Sequence, residues 1–216
     1  NAAGLKHIYE NEEFDYVIPM DGDGEDRPEE LTLLFNKSKE NPLKIVTANR
    51  VKRTEGPLFK FLYQSHKILA YIFTGKLIKF GNYVWLPKIF ASKLAKEACI
   101  WSSFSGSVAK IISDSDRTSI ASIKGQRYFG PSKMNFFDLL IHSFSIIAVF
   151  KHTMIVRSAL FLIFYLFFIF GNLSIITLLP VLIILIFSFK SLFINSMFFV
   201  LSKSNLPSTK VFSTLL

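Results

Sequence analysis

The stretch Phe14–Leu31 reads FDYVIPMDGDGEDRPEEL. Its first part mixes apolar, aromatic and β-branched residues in a short run, the pattern of a buried strand. Its second part gathers Asp21, Asp23, Glu25, Asp26, Glu29 and Glu30 around Gly22 and Gly24. A helix is expected to start there. Asp26 can cap it, Pro28 suits its first turn, and Glu29 and Glu30 favour its positive end. That helix runs through PEELTLLFNKSKE (28–40) and stops at Asn41-Pro42, after which LKIVTANR (43–50) is a second strand. Strand, helix and strand in this order form the βαβ unit of a parallel sheet, so the expected class is a Rossmann-like α/β domain with a mainly parallel sheet.

The acidic loop admits several readings. An EF-hand calcium loop counted from Asp21 would need Gly at position six and Glu at position twelve. Asp26 and Thr32 stand there instead, and a strand rather than a helix precedes. A solvated helix start accounts for Asp26, Glu29 and Glu30, but not for Asp21 and Asp23. These two fall at the carboxyl end of a strand, where open α/β sheets bind ligands. Two carboxylates at i and i+2 can share one divalent cation, Mg2+ or Mn2+, and leave coordination positions for phosphate oxygens.

Composition and charge narrow the class. Half of the 216 residues are hydrophobic and 24 are Phe, which points to a membrane part. The lone Cys99 excludes an internal disulfide, and His7, His66, His142 and His152 show no zinc spacing. Residues 1–43 carry eleven acids and four Lys/Arg (net −7), whereas residues 44–216 carry five acids and 21 Lys/Arg (net +16), summing to +9. The basic part calls for an anionic partner, and beside so hydrophobic a tail a membrane surface is a better partner than nucleic acid. The opening NAAGLKHIYENEEF reads as a helix leading into a strand, entered mid-fold, and is taken as the start of an N-terminally truncated piece.

Further along, GPLFKFLYQSHKILAYIFTG (56–75) has the spacing of an amphipathic helix that buries one face or lies on a membrane. KLIKFGNYVWLPK (76–88) reads as extended, KIFASKLAKEA (88–98) and SGSVAKII (105–112) as helical, TSIASIK (118–124) as a strand and GQRYFGPSK (125–133) as a loop. MNFFDLLIHSFSIIAVF (134–150) is a second amphipathic stretch. Between Ser158 and Phe189 there is no charge at all. That length suits two short spans joined near Gly171-Asn172, with Pro180 in the second; one long tilted span plus an interfacial piece is the alternative. Lys151 and Arg157 precede the hairpin and Lys190, Lys203 and Lys210 follow it, so both ends are expected on the cytoplasmic side. The expected division is a globular part over 1–133, an interfacial helix over 134–157, two spans over 158–190 and a tail over 191–216.

The motif FDYVIPMDGDGEDRPEEL resembles the element that carries the paired aspartates in family-2 glycosyltransferases of the GT-A fold, most closely the polyprenyl-phosphate branch. IVTANRVKRTEG (45–56) is similar to that family's strand followed by a basic segment. RYFGPSKMNF (127–136) is similar to its basic loop before an amphipathic helix. The resemblance runs over nearly the whole chain and includes a C-terminal membrane hairpin. It implies metal and diphosphate binding by Asp21 and Asp23, with Glu25 touching the metal. It places Arg50, Arg53, Arg127, Ser132 and Lys133 near phosphate groups, with Asp23, Arg127 and Lys133 closest to the chemistry. Two departures stand out. No aspartate occurs in TGKLIKFGNYVWLPK (74–88), where the family often carries one, and GPSK lacks the usual glutamate.

What the resemblance implies is inverting transfer of a sugar from a nucleotide diphosphate to a polyprenyl phosphate at a membrane, with self-association left open. A glycan hydroxyl acceptor is an alternative, and would need a general base, for which Asp114 or Asp116 is the candidate. A non-catalytic protein that binds anionic lipid is another. It would use the basic residues and the hairpin without needing Asp21 and Asp23.

Overall fold

The computed structural model describes residues 1–52, 57–128, 130, 136–171 and 174–203. Arg53, Ser132, Lys133 and Lys210 lie outside the described residues. The chain begins with helix α1 (Ala2–Asn11) and a two-residue strand β1 (Tyr16–Val17). A 3-10 turn (Pro28–Glu30) leads into α2 (Leu31–Glu40), followed by β2 (Ile45–Lys52), α3 (Pro57–Thr74) and β3 (Phe80–Pro87). Helices α4 (Lys88–Ala95) and α5 (Phe104–Ile111) and strand β4 (Arg117–Ile123) complete the globular part. Then come α6 (Phe136–Val149), α7 (Lys151–Ile169) and α8 (Ile175–Lys203).

The class is α/β, as expected, but the sheet is mixed rather than mainly parallel. Its order is β1-β3-β2-β4, and β3 runs antiparallel to both β1 and β2, while β2 and β4 pair in parallel. The βαβ reading of residues 14–50 therefore needs correction, because β3 lies between the two strands. The physical reason is burial. Tyr83 to Pro87 are all buried, a continuous run that needs cover on both faces and so takes a central position. The first strand, expected to be buried, is a short edge strand with Tyr16 exposed. It pairs on one side only.

Alternation along the strands builds two cores. Ile45, Val84 and Leu86 face one side and pack with Leu5, Phe90, Leu94, Phe104 and Val108 from α1, α4 and α5. Val46, Ala48, Tyr83 and Trp85 face the other and pack with Leu34 of α2 and Ile120 of β4. Because β1 and β2 both oppose β3, and β4 follows β2, strands β1, β2 and β4 all point the same way. Their carboxyl ends lie along one edge, together with the start of β3.

The C-terminal helices are joined to this domain at several points. Phe73 of α3, Ile147 of α6 and Met154 of α7 form a third cluster, with Phe187 and Leu192 of α8 against it. Lys110 and Asn195 donate to the carbonyls of Val149 (2.9 Å) and Ala148 (3.0 Å), capping the end of α6. Arg157 donates to the Ile72 carbonyl at 3.1 Å, closing the end of α3 beside Gly75, whose φ of 71° suits glycine after a helix. Helix α8 continues past Lys190, and Ser191, Asn195 and Phe198 on that extension pack on the domain.

Two helices, Lys151–Ile169 and Ile175–Val200, are long and apolar enough to cross a membrane. Their outer faces are bare: Phe167 is 81% exposed, Phe168 74% and Ile175 89%. A helix in the core of a soluble domain would bury such residues, so these faces call for lipid or another apolar surface. The two helices touch through Ser158 and Ser188 at 3.2 Å and through the Tyr165 hydroxyl, which donates to the Thr177 carbonyl at 2.9 Å.

Candidate functional site

The acidic loop sits at the edge where β1, β2 and β4 end. It is held there by segment 124–128. The Gly125 amide donates to the Glu25 carbonyl and the Tyr128 amide to the Asp23 carbonyl, each at 2.9 Å. This ladder requires glycine on both sides. Gly24 has φ of 92°, and a Cβ on Gly125 would fall 2.1 Å from the Gly24 carbonyl oxygen. That neighbour is backbone and cannot rotate away. Gly125→Ala is expected to separate the two segments at a cost of roughly 1–3 kcal/mol, read as a lowered melting temperature and faster proteolysis near residue 125. An unchanged melting curve would refute this account of the loop.

The ladder brings charged groups from three segments together. Glu25 is the centre. Its Oε1 accepts from Arg127 Nε at 2.6 Å and lies 3.1 Å from Lys124 Nζ, while its Oε2 accepts from Arg50 Nη1 at 3.3 Å. Arg50 also donates to Asp26 Oδ1 at 3.0 Å, and Arg127 reaches Asp23 Oδ2 at 3.1 Å. Burial alone would raise the Glu25 carboxyl, but the hydrogen bonds and charges of Arg127 and Lys124 outweigh it and hold the group below the usual carboxylate range. For Arg50 burial opposes the charge, and its bonds to Asp26 and Glu25 more than offset it.

Asp21 and Asp23 differ from these. Asp23 Oδ1 accepts the Glu25 amide at 3.0 Å, which shapes the turn. Asp21 lies at the surface, and its side chain accepts from Asn82 at the long distance of 3.4 Å. Desolvation, then the negative charges of Asp26 and Asp23, push the Asp21 carboxyl above the usual range despite Asn82 and Arg50. A raised carboxyl among like charges is the environment a divalent cation relieves. Asp21 and Asp23 are the carboxylates here that could hold one, in company with phosphate oxygens. Among the described residues, no group of three or more His, Cys, Asp or Glu forms a ready-made cage.

Two residues expected to do no more than start a helix have other partners. Asp26 is only 4% exposed; it accepts the Asp21 amide at 3.0 Å as well as Arg50, and it makes no cap, since Arg27 takes the cap position. Glu30 is 5% exposed and crosses to β4, accepting from the Ser122 hydroxyl at 2.6 Å and the Ile123 amide at 3.0 Å. Glu29 alone stays at the surface, 3.6 Å from Arg27. The Tyr83 hydroxyl donates to the Arg27 carbonyl at 2.9 Å, and burial with the charge of Glu30 pushes its phenol up to about 12, so it remains a donor.

Of the residues singled out in the sequence, Asp21, Asp23, Glu25, Arg50 and Arg127 come together, while Arg53, Ser132 and Lys133 lie outside the described residues. Sequence reading missed Lys124, Asn82, Asp26 and Glu30 as members of the site or its frame. Asn82 had a signal, since it stands in the segment where an aspartate was looked for. Asp114 and Asp116 do not reach the site. They precede β4 at its far end, where Asp114 pairs with Arg117 and with Lys76 at 3.3 Å. No protein-family model matches the chain, and no curated protein matches it either.

Proposed function

We propose that the protein is a membrane-anchored, metal-dependent glycosyltransferase that moves a sugar, with inversion, from a nucleotide diphosphate to a polyprenyl phosphate. The observation that carries this reading is the meeting of Arg50, Lys124 and Arg127 at Glu25 on one sheet edge, with Arg127 also at Asp23 and with Asp21 beside them on the same loop. Carboxylates for a cation and cations for phosphates lie side by side, on a domain attached to an apolar hairpin.

Asp21 and Asp23 would hold Mg2+ or Mn2+, which when bound would supply Lewis acidity where the leaving diphosphate gains charge. Glu25 is engaged by three cations, so in this reading it holds the cradle in place. Arg50, Lys124 and Arg127 bind phosphate oxygens, the two arginines by paired hydrogen bonds. The resemblance assigns Arg53, Ser132 and Lys133 to the same phosphate groups. A phosphate acceptor is already anionic near neutral pH, its second pKa being about 6, so no general base is required. The placement of Asp114 and Asp116 favours this acceptor over a glycan hydroxyl. Seven residues of β4 at about 3.3 Å each put them roughly 20 Å from Lys124. The Lys and Arg residues that flank the charge-free hairpin support a cytoplasmic domain.

The test is to supply membranes holding the full chain with a panel of labelled nucleotide sugars. Label in the lipid fraction, dependent on Mg2+ or Mn2+, is the expected result. Label in a soluble glycan would replace the acceptor. No product from any donor would favour the lipid-binding accessory protein.

A further inference from the structure

Arg127 occupies a position that the proposed chemistry contests. Its Nη2 is 3.1 Å from Asp23 Oδ2, and its Nε is 2.6 Å from Glu25 Oε1. Asp23 is one of the two carboxylates assigned to the cation, and Arg127 is one of the groups assigned to phosphate. One guanidinium and one divalent ion cannot both neutralise the same carboxylate oxygen at full strength. Asp23 Oδ1 accepts the Glu25 amide and Oδ2 is held by Arg127, so a cation at Asp23 meets the Arg127 charge already in place. The charges sharpen the point. Asp21, Asp23, Glu25 and Asp26 carry four negative charges, and Arg50, Lys124 and Arg127 carry three positive ones, all linked by the contacts above. A divalent cation added without any movement would leave the group net positive beside Arg127, whereas a phosphate added with it would restore the balance.

We infer that Arg127 competes with the divalent cation for Asp23 and is the group that couples cation binding to phosphate binding. Released from Asp23, its guanidinium keeps one hydrogen bond to Glu25 through Nε and turns Nη2 towards a phosphate oxygen. Glu25 is then the pivot and Asp23 the contested partner. The coupling is reciprocal by thermodynamic necessity: phosphate that draws Arg127 off Asp23 strengthens the cation, and the cation strengthens phosphate. This inference rests on the metal-binding reading of Asp21 and Asp23.

The experiment measures Mn2+ binding to the purified full chain in detergent, from the electron paramagnetic resonance signal of free Mn2+. It is run on the wild type, on Arg127→Met, and on Asp21→Asn with Asp23→Asn. The double variant is expected to lose the site. Arg127→Met is expected to bind Mn2+ about tenfold more tightly, since a competing charge has gone. Inorganic phosphate is expected to tighten Mn2+ in the wild type and to lose that effect in Arg127→Met. A merely structural role for Arg127 would weaken Mn2+, never tighten it. If the wild type binds Mn2+ through Asp21 and Asp23 but Arg127→Met binds it equally or less well, the competition is overturned and the metal reading stands. If neither the wild type nor Arg127→Met binds Mn2+, both are overturned.

Discussion

Asp23→Ala is expected to lower sugar transfer into the lipid fraction by roughly 100-fold or more, the scale on which a lost electrostatic contact to a developing charge is felt. The residue has two roles that must be separated. Its Oδ1 accepts the Glu25 amide at 3.0 Å and so shapes the loop, while its Oδ2 faces the charged site. Alanine removes both. Asp23→Asn keeps an oxygen for the amide and loses the charge. The Asn variant should therefore melt near the wild type yet transfer as poorly as the Ala variant. Wild-type transfer by Asp23→Asn would sink the proposed cation and diphosphate role of this residue. Asp21, with one long contact from Asn82, serves as a cleaner companion, because its replacement removes little structure.

The second large effect concerns stability. Glu30→Ala is expected to cost about 3 kcal/mol, since it leaves the buried Ser122 hydroxyl and the Ile123 amide without their acceptor. For a chain of this size that corresponds to a melting temperature lower by roughly 6–12 °C. Glu29→Ala provides the contrast. Its partner Arg27 is 3.6 Å away and its side chain is largely exposed, so a change of about 0.5 kcal/mol or less is expected. Equal losses from the two substitutions would show that Glu30 is not the strut between the acidic turn and β4. The comparison matters for function too, because Ile123 leads directly into Lys124, Gly125 and Arg127. A strut lost there would loosen the cradle as well as the sheet.

Local signals in the sequence were enough to place most elements. The aromatic and β-branched run at 76–88 became β3, the periodic stretch at 56–75 became α3, and the charge-free run became two long apolar helices. These depend on residues a few positions apart, so a window of sequence contains them. The carboxylates divided less well. Asp26, Glu29 and Glu30 share the same composition and helix-start logic, yet Asp26 and Glu30 are buried and only Glu29 is solvated. What separates them is whether a partner arrives from elsewhere: Arg50 from β2 for Asp26, and Ser122 and Ile123 from β4 for Glu30. Nothing within residues 20–31 encodes those arrivals.

By itself, then, the sequence determined an α/β chain with an acidic turn after its first strand, a basic remainder and an apolar tail, because charge and periodicity are local properties. Tertiary structure alone decided that β3 inserts between β1 and β2, that Asp114 stands at the wrong end of β4, and that Glu25 gathers three cations. Strand order follows from which apolar run needs cover on both faces, a comparison between distant segments. The partner of a charge is likewise set by segments up to about a hundred residues away, as for Glu25 and Arg127. The acidic turn could be read from its own residues, but the site it belongs to exists only once three strand ends share an edge.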